Sequence, residues 1–304
     1  MTTVNDIEFI IPCGGKSTRN YPHAKGIPHK ALLPFGDTRL VDFLLKDIVQ
    51  MGGRHITFVC SNQSVIDAFK EALAPDPKTE EKLRNAGRSG IADALKNTFL
   101  PPDIDIKYAI QNKPIGTAYV LGLAHRLSPE RHAMMAFPDD IIVSKDPHNS
   151  HIKRIVEAFL SNPKQILLTG IEREDVSNNA IIHNNRLIEK PKVFYNHIAG
   201  FSPFMFPKEM LDFVTDQVNT YEQTGKLPDN LPMAEWVYVD GINQFLDTQP
   251  DGMWRLQMFM KSPDDLLLDT GNLPMYQEAE LFALLKLSRF KDKLREMARD
   301  LLND

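Results

Sequence analysis

Short apolar runs alternate with amphipathic stretches along most of the chain. Ile7–Ile11, broken only by Glu8, Ile56–Cys60, Ala133–Phe137 and Ile166–Gly170 are compact apolar segments and read as buried strands. Between the first two, Leu40–Met51 carries Val41, Leu44, Leu45, Ile48 and Val49 at helical spacing, and Gly52-Gly53 supplies a stop signal. Strand, helix and strand at this spacing predict a parallel βαβ unit. Helical patterns recur at residues 65–73, Tyr119–Leu127, Ile152–Leu160 and 207–218. Lys78–Thr98 reads as one charged surface helix with Gly87 and Gly90 weakening its middle, and Ile104–Ile110 alternates as a strand does. Asn178–Ile182 and Arg186–Ile188 predict a hairpin turning at Asn184-Asn185. Ala199–Phe201 with Pro203–Phe206, and later Leu266–Asp269, predict further strands. The segments 224–232 and 233–245 read as a loop and a short element, and 253–260 as another. Met275–Leu302 is a helical region with Leu281, Leu284 and Leu285 in its apolar stripe. The expectation is an α/β fold whose central mixed, mainly parallel sheet is flanked by helices.

Composition narrows the function classes. A chain of 304 residues with 42% hydrophobic content can bury a sizeable core. The net charge of −5 argues against a surface that wraps nucleic acid, so any anion site must be local. Two cysteines, Cys13 and Cys60, cannot form a disulfide framework and suit a reducing compartment. Asp6 and Glu8 interrupt any leader-like start, and no stretch is apolar enough to span a membrane. The cytoplasm is the expected location, with no membrane partner.

The strongest chemical signal follows the first strand. Pro12 predicts the end of the ladder, and Gly14, Gly15, Lys16, Ser17, Thr18 and Arg19 then read as a cationic, hydroxyl-bearing glycine turn. Such a turn brings backbone N–H groups close to phosphate. A Walker A loop is excluded, because the position five residues before Gly15 is Ile10. A dinucleotide fingerprint is excluded as well, because Ser17 and Thr18 stand where a third glycine belongs. A second cationic segment follows, with Lys25 and Lys30 before Ala31-Leu32-Leu33-Pro34. The plainer alternative is a glycine turn with solvated lysines.

Acidic residues recur at strand ends, where ligands of open α/β sheets gather. Asp139 and Asp140 follow Ala133–Phe137, and either is a candidate ligand for Mg²⁺ on a triphosphate. Asp269 follows Leu266–Leu268 and precedes Gly271-Asn272. Gln111 and Gly116 bracket a loop that opens a helix. A glutamine amide can donate and accept, which suits the imide edge of uracil or thymine. Glu189-Lys190-Pro191 closes the predicted hairpin, and Gly200 lies in a strand, where a glycine equally marks a bulge. His148 and His151 have a spacing that can bind metal, but without a cysteine or second pair they read as surface residues.

These residues resemble the sugar-1-phosphate nucleotidyltransferases, whose signature is a strand, G-x-G-T-R, a proline-containing loop and P-K-x-x-x-P. Gly15, Thr18, Arg19, Pro22, Lys30 and Pro34 match it, and Lys25–Pro34 is similar to the loop of the bacterial UTP–glucose-1-phosphate uridylyltransferases. Ser17 replaces the second glycine, and His29 separates a proline and a lysine that the family keeps adjacent. The resemblance runs from Ile7 to about Asn272 and implies a Rossmann-like nucleotidyltransferase domain over residues 1–274, with 275–304 as a C-terminal helical extension. It implies nucleotidyl transfer from a nucleoside triphosphate, UTP first, to a sugar-1-phosphate, glucose-1-phosphate first. Arg19 and Lys30 would be catalytic. Gly14, Gly15, Lys16, Ser17, Gln111 and Gly116 would bind nucleotide. Glu189, Lys190 and Gly200 would bind the sugar phosphate, and Asp139 and Asp269 would hold Mg²⁺. A homo-oligomer is a further implication. Other triphosphates, such as dTTP or CTP, and a non-catalytic nucleotide-sugar-binding paralogue stay open.

Overall fold

The apolar runs become strands, and their side chains divide between two cores. In the computed structural model, which describes residues 2–228, 231 and 235–303, the thirteen strands are β1 (Ile7–Cys13), β2 (Pro34–Phe35), β3 (Thr38–Arg39), β4 (His55–Cys60), β5 (Asp105–Ile110), β6 (His132–Met135), β7 (Asp140–Val143), β8 (Gln165–Glu172), β9 (Ala180–His183), β10 (Arg186–Glu189), β11 (Ile198–Phe206), β12 (Arg255–Met260) and β13 (Leu266–Asp269). Residues 229, 230 and 232–234, within the loop and element expected there, lie outside the described residues. Along β1, Phe9 and Ile11 face one core and Ile10 the other, the period-two consequence of a pleat covered on both sides. Helices Leu40–Gln50, Gln63–Leu73 and His151–Ser161 cover the first face. Thr117–His125, Lys208–Thr224 and Tyr238–Asp247 cover the second.

Nine strands form one mixed sheet. β5, β4, β1 and β6 are parallel neighbours in that order. β11 runs against β6 through Phe204–Phe206 and against β8 along most of its length, and β12 lies parallel to β8. Where β6 has ended, β11 pairs instead with β9 at Gly200. A gap therefore opens between the end of β6 and the β9–β10 hairpin, and the chain leaving β6 turns out through Phe137–Asp139. In register across that gap, Glu189 faces Ala180, Ala180 faces Gly200 and Gly200 faces Gly170.

Several expectations need correction. The acids after β6 are followed by a strand the pattern did not predict: Asp140 opens β7, which pairs antiparallel with β13 and sets Asp140 opposite Asp269. The pattern missed β7 because it is only four residues long and begins with an acid. The charged helix expected over 78–98 is two helices, Pro77–Asn85 and Ser89–Lys96, separated at Gly87 with φ +72°. His151 is no surface residue. It is fully buried, and its Nε2 meets Thr169 Oγ1 at 2.8 Å. In the C-terminal helices, Tyr276, Ala279 and Ala283 face the core beside Leu33, Phe35 and Leu40, whereas Leu281 is exposed. The predicted hairpin is present, with both Asn184 and Asn185 at positive φ as a tight turn between twisted strands requires. No described helix is long and apolar enough to cross a membrane.

Candidate active site

Two adjoining cavities of about 550 Å³ each fill the gap in the sheet and share Arg19, Asp139, Asp140, Asn178 and Glu189 on their walls. One is lined by Gly14, Gly15, Lys30, Gln111 and Gly116 from the loops after β1 and β5. The other is lined by Lys190, Gly200, Asp269, Gly271 and Arg173. The sequence-predicted residues thus converge, except Lys16 and Ser17, which do not line either cavity. Lys16 is exposed, and Ser17 acts from behind the wall.

Ser17 stands in the left-handed region at φ +56°, a conformation disfavoured for a residue with a Cβ. Its Oγ accepts the Lys30 N–H at 2.9 Å, which ties the glycine turn to the second cationic segment. His29 is buried, and its Nδ1 accepts the Ala31 N–H at 3.2 Å, capping the short helical turn that carries Lys30. Burial, aided by the Lys30 charge, lowers its pKa to about 4, so the ring is neutral and free to accept. The two departures from the family pattern both serve to fix Lys30.

The glycines have separate reasons. A Cβ on Gly14 would lie 2.2 Å from Gln111 Oε1, so this glycine makes room for the amide. Gln111 Nε2 in turn donates to the Gly116 carbonyl at 3.3 Å. Gly116 has φ +121°, and a Cβ there would lie 2.1 Å from the Trp236 carbonyl oxygen. Gly15 meets nothing within 4 Å, leaving open space beside its backbone.

The acid cluster is assembled by the β7–β13 ribbon. Asp139 accepts both the Thr270 N–H (2.8 Å) and the Thr270 hydroxyl (3.1 Å) at its carbonyl, and Gly271 N–H donates to Asp269 Oδ1 at 2.7 Å. Buried Asn20, at the end of the cationic turn, donates to the Thr270 carbonyl at 2.9 Å. Phosphate loop and acid turn are therefore tied directly, a link the sequence did not expose because Asn20 and Thr270 bear no motif of their own. The Asp139 carboxylate pairs with the Lys30 ammonium. Asp140 is held near the Ser202 N–H, and its pKa is raised to about 7 by burial first and then by the Asp139 and Asp269 charges. Burial also raises Glu189. Lys190 stands at φ +48° with its N–H on the Asn179 carbonyl, a strained backbone of the sort retained at binding sites.

Among the described residues, no three His, Cys, Asp or Glu side chains are grouped as a metal cage. Mg²⁺ does not require one: it is commonly held by one or two carboxylates together with substrate phosphates and water. Asp139 and Asp269 fit that donor set. Arg173, Asn178, Asn179, Tyr238 and Met275 also line the cleft and were missed. Arg173 lies in the charged stretch after β8, and Asn178 and Asn179 open the predicted hairpin, where no motif marks them.

An α/β sheet interrupted by a cleft, with a cationic glycine turn on one side and strand-end acids on the other, defines a phosphate-handling enzyme of the nucleotide-binding class. A nucleotidyl transferase family profile matches residues 9–283, and the chain belongs to that family. A Bacillus subtilis (strain 168) protein provisionally named UTP–glucose-1-phosphate uridylyltransferase is 24% identical over 219 residues, covering 67% of this chain and 76% of its own length. A UDP-glucose pyrophosphorylase from Acinetobacter baumannii superposes with TM-score 0.75 at 15% identity, covering 97% of this chain and 99% of the other. A UTP-bound enzyme of the same kind from that organism superposes with TM-score 0.75 at 16% identity, with coverage of 97% and 99%. These likenesses bear out the expected fold.

Proposed function

We propose that the protein transfers a nucleotidyl group from UTP to glucose-1-phosphate, giving UDP-glucose and pyrophosphate. The observation that carries this reading is the meeting of Asp139, in the turn before β7, and Asp269, at the end of β13, beside Arg19 and Lys30 in one cleft that also holds Glu189 and Lys190. The named relatives support UTP and glucose-1-phosphate as the first pair to try.

In the reaction, an oxygen of the acceptor phosphate forms a bond to the α-phosphorus of the triphosphate. The bond from that phosphorus to the bridging oxygen breaks in line, and pyrophosphate leaves with the electron pair. The nucleophile is already an anion at neutral pH, so positioning and charge neutralisation supply the catalysis. Arg19, exposed at the mouth of the cleft, neutralises the departing pyrophosphate with the Gly14–Gly15 backbone. Lys30 transfers its charge from Asp139 to the α-phosphate as substrate enters. Lys190 holds the acceptor phosphate, and Glu189 accepts from sugar hydroxyls. Gln111 meets the base edge, and Gly116 gives the nucleoside close access to the backbone. Asp139 and Asp269 would hold Mg²⁺, which supplies charge neutralisation on the triphosphate.

Pyrophosphate release, measured with a panel of nucleoside triphosphates against a panel of sugar-1-phosphates, tests the proposal. Saturable release that is highest with UTP and glucose-1-phosphate and is abolished by a chelator is expected. Saturable binding of UDP-glucose with no release from any pair would reduce the protein to a nucleotide-sugar-binding module.

A further inference from the structure

The acceptor half of the cleft contains a cation that no part of the motif pattern accounts for. Arg173 follows β8 directly, and its backbone N–H is anchored on the His197 carbonyl at 2.9 Å. Its guanidinium lies over the Phe201 ring, 4.5 Å from the centroid. That stacking orients the planar fork. It leaves the in-plane donors free, and among the described residues no ion pair occupies them. A half-buried guanidinium commonly takes a carboxylate or phosphate partner in bidentate geometry.

The surroundings limit what that partner is. Phe201 is followed by Ser202, whose N–H points to the Asp140 carboxylate, and preceded by Gly200, in register with Ala180 and Gly170. Arg173 therefore stands over the residue between Gly200 and the acid cluster, in the same cavity as Lys190 and Asp269. A dianionic acceptor phosphate lodged between Lys190 and the acids would otherwise have only Lys190 and the shared Arg19, which the leaving pyrophosphate also engages, to neutralise it.

We propose that Arg173, held on Phe201, binds the acceptor's phosphate together with Lys190. The inference rests on the nucleotidyl-transfer reading. It adds a binding residue, with the planar fork contributing geometry that the single lysine ammonium does not.

The test compares wild type with Arg173→Gln and Arg173→Lys by two measurements. In steady-state kinetics, Arg173→Gln should raise KM for glucose-1-phosphate on the order of 10–100-fold while KM for UTP stays within about twofold, and Arg173→Lys should recover part of the loss. Unchanged KM for glucose-1-phosphate, or an equal rise for both substrates, overturns the assignment. So does a loss confined to glucuronate-1-phosphate, which would place the guanidinium on a sugar carboxylate instead. Calorimetric binding of UDP-glucose, which retains that phosphate, needs no turnover. Weakened binding by Arg173→Gln supports the proposal even if pyrophosphate release fails in wild type. Equal binding by both proteins overturns this inference alone, and no binding by wild type overturns it together with the functional reading.

Discussion

At the scale of single residues, the cleft is built from side chains whose jobs differ from what their type suggests. Ser17 is the clearest. It occupies a left-handed position suited to glycine, yet its hydroxyl oxygen takes the Lys30 N–H. Ser17→Ala keeps the conformational strain and loses the bond, a loss of about 1 kcal/mol. Ser17→Gly loses the bond but sheds a left-handed cost of roughly 1–2 kcal/mol. In urea unfolding the glycine variant should therefore be more stable than the alanine variant by about 1–2 kcal/mol, and both should turn over more slowly than wild type as Lys30 loosens. The reverse order of stability would mean that the backbone at Ser17 carries no strain. Arg19 has a different prediction. It is exposed, so Arg19→Ala should leave stability within about 0.5 kcal/mol. Turnover should fall on the order of 10²–10³-fold. A fall of under about threefold in pyrophosphate release would remove it from the mechanism.

At the scale of elements, a buried polar knot joins helix Leu40–Gln50 to helix His151–Ser161. Burial raises Asp47 from 3.8 to about 6 and lowers His151 from 6.5 to about 4, with Arg154 and Asp265 beside both and Lys261 near the histidine. The signs oppose. Between about pH 4 and 6 the native state holds more protons on Asp47 than the unfolded chain does, so that contribution falls as pH rises. Between about pH 4 and 6.5 the unfolded chain holds more on His151, so its contribution grows. The two offset in wild type. Asp47→Asn should gain stability relative to wild type as pH rises from about 4 to 6, read from urea midpoints across that range. A constant difference would show that Asp47 titrates normally. The same knot marks where reading the sequence failed. Strands, hairpin and most helices were legible because period and turn chemistry are local. The burial of His151 was not, since nothing in the sequence pairs it with Thr169. The β7–β13 ribbon was half legible: Asp269 announced its strand, but Asp140 concealed the other behind an acidic pair. Arg173 was hidden because its partner ring at Phe201 is supplied by β11. The motif residues were readable singly, and only their convergence required the fold.

At the scale of the whole molecule, the cleft joins the loop after β1, the loop after β5, the β9–β10 hairpin and the C-terminal acid turn, so a ligand that spans it should stabilise them together. UTP with Mg²⁺ at about 100 times its Kd should add roughly 2.7 kcal/mol to unfolding. A thermal-shift series should register that gain, lose most of it with a chelator, and lose the metal-dependent part in Asp269→Asn. Equal shifts with and without the divalent ion would remove Asp139 and Asp269 from the metal site.

The strand that carries Asp269 reaches its mate in β7 only after all the strands from β8 to β12 have been made. A nascent chain on the ribosome can complete its first βαβ unit, the phosphate turn and the hairpin while still lacking one of the two acids. On the proposed mechanism, inactivity is then the default for every fragment ending short of that strand, and proteolytic clipping between β7 and β13 would silence a molecule whose nucleotide-binding half remained intact.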